Sequence, residues 1–151
     1  MGLAYFDSSA LVKLVVDEAG SEVAAAVWNA CDAAVSSRVA HPEVCAALAA
    51  AGRNHDLTRS EVASATAEWA EFWASMRPVE LSREVERSAG SLAGELGLRG
   101  ADAVHLASAL ALGLGDLIFV AWDRRLRAAA AVVGLALAPA EPARRPGRQQ
   151  R

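Results

Sequence analysis

Four carboxylates stand where the chain passes from one element to the next, and these are the side chains whose placement allows chemistry. Asp7 follows the apolar run LAYF, Glu43 follows Pro42, Asp102 sits two residues past Gly100, and Asp123 follows LIFVA and opens DRRLRAA. Taken singly, each reads first as a helix cap. Free N–H groups and the positive end of the helix dipole stabilise an acid there by ~0.3–1 kcal/mol. Taken together they would be something else. Unit charges ~4 Å apart repel by about 4 kcal/mol at an effective dielectric near 20. Converging carboxylates therefore take up protons or gather a hard cation. Oxygen donors without Cys or His suit Mg²⁺ or Mn²⁺. Two such ions can activate a water and stabilise the leaving oxygen of a phosphodiester. Periodicity alone does not bring the four acids to one place. No Ser/His/Asp arrangement competes, since none of the three histidines lies in a nucleophile motif.

The elements that must position these acids alternate in kind. Strand-length apolar runs occur at Leu3–Phe6, Ala33–Val35, Val79–Leu81, Leu117–Ala121 and Leu135–Ala138. Between them the apolar spacing is helical, over 9–17, 22–30, 42–53, 58–75, 83–96, 101–112 and 124–133. Pro42 suits the first helical position and opens its helix, Thr58-x-x-Glu61 reads as a capping box, and Pro78 is expected to stop the helix before it. Gly97, Gly113 and Gly134 mark C-termini. Strands separated by helices predict an α/β fold, a three-layer α/β/α sandwich around a mostly parallel sheet. In such a sheet ligands bind outside the carboxyl ends of the strands. Asp7 and Asp123 would project into that crevice, and Glu43 and Asp102 would reach it from bordering helices.

Composition narrows the classes. The chain has 151 residues, 54% hydrophobic and 22% charged, enough for one domain with its own core. No charge-free run exceeds thirteen residues, too short for a membrane span. Asp7 interrupts the first apolar stretch, so a signal peptide is not expected and the cytoplasm is the default compartment. Cys31 and Cys45 make neither a disulfide framework nor a zinc pattern. Residues 1–138 carry a net −6, and 139–151, with four arginines and Glu141, a net +3. The acidic body argues against a broad phosphate-gripping surface but not against a nuclease whose acids hold metal. Lys13 is the only lysine, so no P-loop exists. The division is a domain over 1–138 and a disordered basic tail over 139–151.

The combination YFDSSALVKL, PEVCAAL, LRGADAVHLASAL and FVAWDRRL resembles the PIN-domain ribonucleases, and more closely the VapC-type toxins of toxin–antitoxin pairs. The resemblance covers residues 1–138 and implies a PIN-like α/β/α sandwich. It implies an endoribonuclease that hydrolyses RNA phosphodiester bonds with a metal-activated water, using Mg²⁺ with Mn²⁺ as substitute. Carried over by motif, Asp7, Glu43, Asp102 and Asp123 are both the catalytic and the metal-binding quartet. Asp7 and Asp102 are direct ligands, Glu43 contacts metal or its water, and Asp123 is ligand or outer acceptor. Ser8 stands where the family places a small hydroxyl, and Arg99 and Arg124 are candidates for substrate phosphate. The family's last motif commonly reads Thr-x-Asp, whereas here Ala121 precedes Trp122-Asp123. The implied partners are RNA, a VapB-like antitoxin and a second copy of the chain, with no membrane. The competing reading is a non-catalytic PIN-like module that binds RNA or a partner.

Further residues carry two readings each. His105, three residues after Asp102, is a ligand or proton shuttle, or a histidine fixing its helix against the sheet. Arg124, Arg125 and Arg127 contact phosphate or form a solvated face. Trp69, Phe72 and Trp73 are core, or line a groove for a partner.

Overall fold

The computed structural model describes residues 2–140. In chain order the elements are β1 (Leu3–Phe6), α1 (Ser8–Val15), α2 (Ser21–Ala30), β2 (Ala33–Ser37), α3 (Ala40–Arg53), α4 (Arg59–Ser75), β3 (Arg77–Val79), α5 (Arg83–Leu96), α6 (Gly100–Ala111), β4 (Leu117–Val120), α7 (Arg124–Val132) and β5 (Ala136–Ala138). The sheet is wholly parallel with strand order β3-β2-β1-β4-β5. Every strand therefore ends at the same edge. The order reverses direction at β1, so the crevice between the ends of β1 and β4 is the switch point where ligands gather in open sheets.

Side-chain alternation along β1 builds the layers. Ala4 and Phe6 point to one face, where with Ala34 and Val120 they meet Leu11, Val44, Leu48 and Trp69 from α1, α3 and α4. Tyr5 points to the other, where with Val35 and Phe119 it meets Val85, Leu92, Leu106 and Leu126 from α5, α6 and α7. This is the expected three-layer α/β/α sandwich, with apolar strands covered on both sides. Trp69 is 1% exposed, and Phe72 meets Trp28 edge-on at 4.9 Å. Trp28 in turn packs on Phe6. The core reading holds for Trp69, and Phe72 packs against the same cluster.

Boundaries shift by a residue or two at most elements, and two of the shifts involve proline. β3 runs over Arg77–Val79, two residues earlier than the run 79–81, and Pro78 lies inside it rather than merely ending α4. β3 is an edge strand, where a residue without an N–H is tolerated. α3 starts at Ala40 rather than Pro42. First-turn N–H groups have no intrahelical partner, so proline fits in that turn without loss of a bond.

One glycine is fixed by a close approach next to the sheet's carboxyl edge. Gly20 has φ +93°, and a Cβ there would lie 2.8 Å from the Trp122 ring. Lys13 Nζ sits 4.9 Å over the same ring and bonds Glu18 and the Ala19 carbonyl. The loop carrying Trp122 and Asp123 is thus packed against the turn between α1 and α2.

Candidate active site

Each acid reaches the sheet's carboxyl edge by a different route. Asp7 leaves β1 in extended backbone and caps α1, its Oδ1 accepting from the Ala10 N–H at 2.8 Å. Asp123 does the same after β4, its Oδ2 accepting from the Leu126 N–H at 2.9 Å. The ordinary reason for an acid at a helix start therefore applies to both. It uses one oxygen of each. Ser8 and Ser9, adjacent to the cap, are simply the first two residues of α1. Glu43 enters in the first turn of α3 from one face of the sheet, and Asp102 in the first turn of α6 from the other.

The electrostatics show that the four share one field. Burial raises the Asp7 carboxyl to about 6, opposed by the Ala10 N–H and His105 and reinforced by Asp102 and Glu43. Asp102 is raised first by burial and then by Asp123, with His105 and Arg99 opposing. Asp102 also feels Glu43, so it links all the other three. Glu43 behaves oppositely. Burial pushes it up, but hydrogen bonds from His105 and Ser8 outweigh burial and hold it below the ordinary carboxylate range. The Ser8 hydroxyl donates to Glu43 Oε1 at 2.8 Å, and His105 Nε2 lies 2.8 Å from the same oxygen. Ser8 is thereby committed to Glu43 and His105. Tyr5, on the other side of the His105 ring, is not singled out by the sequence pattern. Its hydroxyl is 2.8 Å from His105 Nδ1. A buried tyrosine needs a partner for its O–H, and the alternation of β1 was the available signal.

The donor chemistry fits a hard divalent cation: oxygens only, negative charge concentrated at one edge, and two carboxyls whose ordinary acidity is suppressed. Among the described residues no three His, Cys, Asp or Glu side chains are already gathered around a single point. An ion there would take one or two carboxylates directly and keep water for the rest, as Mg²⁺ usually does.

The arginines divide. Arg99, the N-cap of α6, and Arg124, at the start of α7, are exposed beside Asp102 and Asp123. Arg125 is exposed too. Arg127 is a correction to the solvated or phosphate-binding reading. It is 8% exposed, with Nη1 donating to the Ala121 carbonyl at 2.8 Å and Nη2 to that of Pro139 at 2.7 Å. It joins Ala121, two residues before Asp123, to the chain after β5. Residues 141–151, most of the expected basic tail, lie outside the described residues. Arg127→Met keeps the apolar stem but orphans both carbonyls. It is expected to cost about 1–3 kcal/mol, read as a lower urea midpoint with unchanged slope.

A sequence profile of the PIN domain matches residues 4–132. The chain belongs to the PIN-domain family. Over 141 residues this PIN domain is 60% identical to Ribonuclease VapC45 and to Ribonuclease VapC49, both of Mycobacterium tuberculosis, covering 93% of this chain and 98% of each relative. It is a VapC-type PIN ribonuclease. Solved PIN-like folds agree in architecture. VapBC2 from Rickettsia felis, bound to a DNA fragment from their promoter, superposes with a TM-score of 0.62 at 10% identity, over 89% of this chain and 96% of that one. PAE2754 from Pyrobaculum aerophilum gives 0.58 at 23% identity, over 83% of each chain.

Proposed function

We propose that the acidic edge of this PIN domain is the cleavage site of a toxin endoribonuclease, using Mg²⁺ or, in its place, Mn²⁺. The observation that carries the reading is the electrostatic linkage of Asp7, Glu43 and Asp123 through Asp102 at the switch point of the sheet. The 60% identity to two ribonucleases supports RNA as the substrate.

When bound, a divalent cation supplies Lewis-acid polarisation of the phosphoryl oxygens and lowers the pKa of an attacking water. Asp7, Asp102 and Asp123 are the residues that would hold it, one or two of them directly and the rest through water, Asp7 and Asp123 using the oxygen not spent on a helix cap. Glu43, kept ionised by Ser8 and His105, is the acid best prepared to orient water or accept its proton. RNA phosphate would approach between the starts of α6 and α7, where Arg99 and Arg124 and two helix N-termini favour an anion. Ala121 is wholly buried and its N–H and carbonyl are bonded to Ala138 and Arg127. The hydroxyl expected two residues before Asp123 is thus replaced by core packing.

The partners follow from the same reading. A VapB-like antitoxin is the expected inhibitor, and a structural neighbour is a VapBC2 assembly. A groove between the end of α1 and α4 is lined by Val15, Leu57 and Ala65 and rimmed by Asp17, Glu61 and Glu68, which suits an apolar segment carrying basic residues. No helix among the described residues is long and apolar enough to cross a membrane. Action in the cytoplasm, as a homodimer, completes the proposal.

The test is digestion of total cellular RNA by the antitoxin-free chain, followed by mapping of product ends. Discrete products with 5′-phosphate and 3′-hydroxyl ends, formed with Mn²⁺ and suppressed by EDTA, are expected. Cyclic phosphate ends would contradict attack by water. No cleavage together with no cation binding would favour the non-catalytic module.

A further inference from the structure

Between the two layers lies a four-membered polar chain that crosses the sheet. Tyr5 Oη is 2.8 Å from His105 Nδ1, His105 Nε2 is 2.8 Å from Glu43 Oε1, and Ser8 Oγ donates to that same oxygen while standing 3.0 Å from Nε2. Tyr5 is wholly buried and His105 is 1% exposed. The Tyr5 ring is stacked on Phe119 at 5.3 Å and meets the His105 ring edge-on. The side chains of Ser108 and Ser36 also flank the Tyr5 hydroxyl.

Hydrogen counting assigns the roles. Ser8 has one hydroxyl hydrogen, given to Glu43, so towards Nε2 it can only accept. Glu43 Oε1 is an acceptor. Nε2 faces two acceptors and must carry the hydrogen. In the neutral ring Nδ1 is then bare, and the Tyr5 hydroxyl, 2.8 Å away, is placed to donate to it. Ser36 cannot take Tyr5's place, since its hydroxyl is spent on the Phe6 carbonyl at 2.7 Å, and Ser108 Oγ, buried beside Tyr5, makes no hydrogen bond to His105.

We propose that Tyr5 is a positioning residue for cleavage: its O–H fixes the tautomer and plane of His105, so that Nε2–H is always aimed at Glu43. Tyr5 touches neither substrate nor ion and acts through the ring alone. Without it either nitrogen of the neutral imidazole can hold the hydrogen. The Nδ1–H form would leave Nε2 lone pair against carboxylate lone pair. The same second-contact logic fixes histidines that bind metals directly. Here the oriented group is a carboxylate. The role of Glu43 in cleavage rests on the function proposed above, whereas the tautomer does not.

The experiment therefore has two arms. In the first, ¹⁵N ring spectra of the full-length, metal-free protein at neutral pH report His105 directly. The wild type is expected to show Nε2 protonated and Nδ1 bare, and Tyr5→Phe to show a mixture. Hydrogen on Nδ1 in the wild type, whether as the Nδ1–H tautomer or the imidazolium, or a Tyr5→Phe spectrum identical to wild type, would overturn the proposal. In the second arm, Tyr5→Phe is expected to lower kcat for RNA cleavage about 3–10-fold with KM within twofold. His105→Gln carries an amide N–H that can reach Glu43 without needing Tyr5. In that background Tyr5→Phe should cost less than about twofold. An equal loss in both backgrounds would mean that Tyr5 is merely structural and would overturn it. Failure of the wild type to cut any RNA would instead overturn the nuclease reading, and the spectrum would still decide the tautomer.

Discussion

Asp7→Asn is expected to abolish RNA cleavage, by about 10³-fold or more, while making the metal-free protein more stable. The two effects have one cause. Asp7 is 4% exposed and burial raises its carboxyl from about 3.8 to about 6. The folded state therefore favours the protonated acid, and binds more protons than the unfolded chain between those two values. Stability contributed by this group is full below pH ~4, is lost as pH rises through ~6, and stays lost above it. Two units correspond to on the order of 2–3 kcal/mol at neutral pH. Asparagine carries no charge to desolvate, and it caps helices as well as aspartate does, so the bond from the Ala10 N–H survives. A gain of about 1–3 kcal/mol at pH 8 should appear as a Tm higher by several degrees, shrinking towards zero near pH 4. Thermal unfolding of both proteins across pH 4–8 in EDTA checks the trend, and a variant less stable than wild type at pH 8 would contradict it.

The second large effect is stabilisation by divalent cation, and its loss when Asp102 is neutralised. The repulsion that adds to burial in raising Asp7 and Asp102 is relieved by a positive charge at the edge. An ion that binds only the folded chain stabilises it by about 2.7 kcal/mol at a hundred times its dissociation constant. For a chain of this length that is a Tm rise of about 5–10 °C. Asp102 is coupled to all three other acids. Asp102→Asn should therefore weaken Mn²⁺ binding at least tenfold and cut the Tm rise to a degree or two. A shift that persists undiminished would place the ion elsewhere.

The fold was largely legible because its signals are local. Alternating apolar runs and helical stretches, with Gly97, Gly113 and Gly134 as stops, gave the layered parallel sheet, and the glycines do adopt the left-handed backbone. Element ends moved by a residue or two, at Pro42 and Pro78 among other places. Pro78 could be read as a break, but whether a strand is at an edge depends on pairings three-dimensional in origin. The acids were found as positions, and the resemblance to a family, rather than spacing, grouped them. What spacing could not reveal was commitment: that Ser8 would be spent on Glu43, or that Arg127, written in the same run as Arg124, would turn inward to two carbonyls. Arg124, Arg125 and Arg127 differ in helical phase, but which phase faces the core follows from how α7 lies against β4 and β5. Tyr5 was hidden for a similar reason. Its partner, His105, is one hundred residues away.

The most direct measurement is cleavage of cellular RNA by the purified chain in Mn²⁺, run beside EDTA and beside Asp7→Asn, Glu43→Gln, Asp102→Asn and Asp123→Asn, each first shown to be folded. The account predicts discrete products from the wild type in Mn²⁺, none in EDTA, and losses of at least about a hundredfold in all four variants, largest at Asp7 and Asp102. Cleavage that survives EDTA, or a folded Asp7→Asn that cuts as the wild type does, would contradict it.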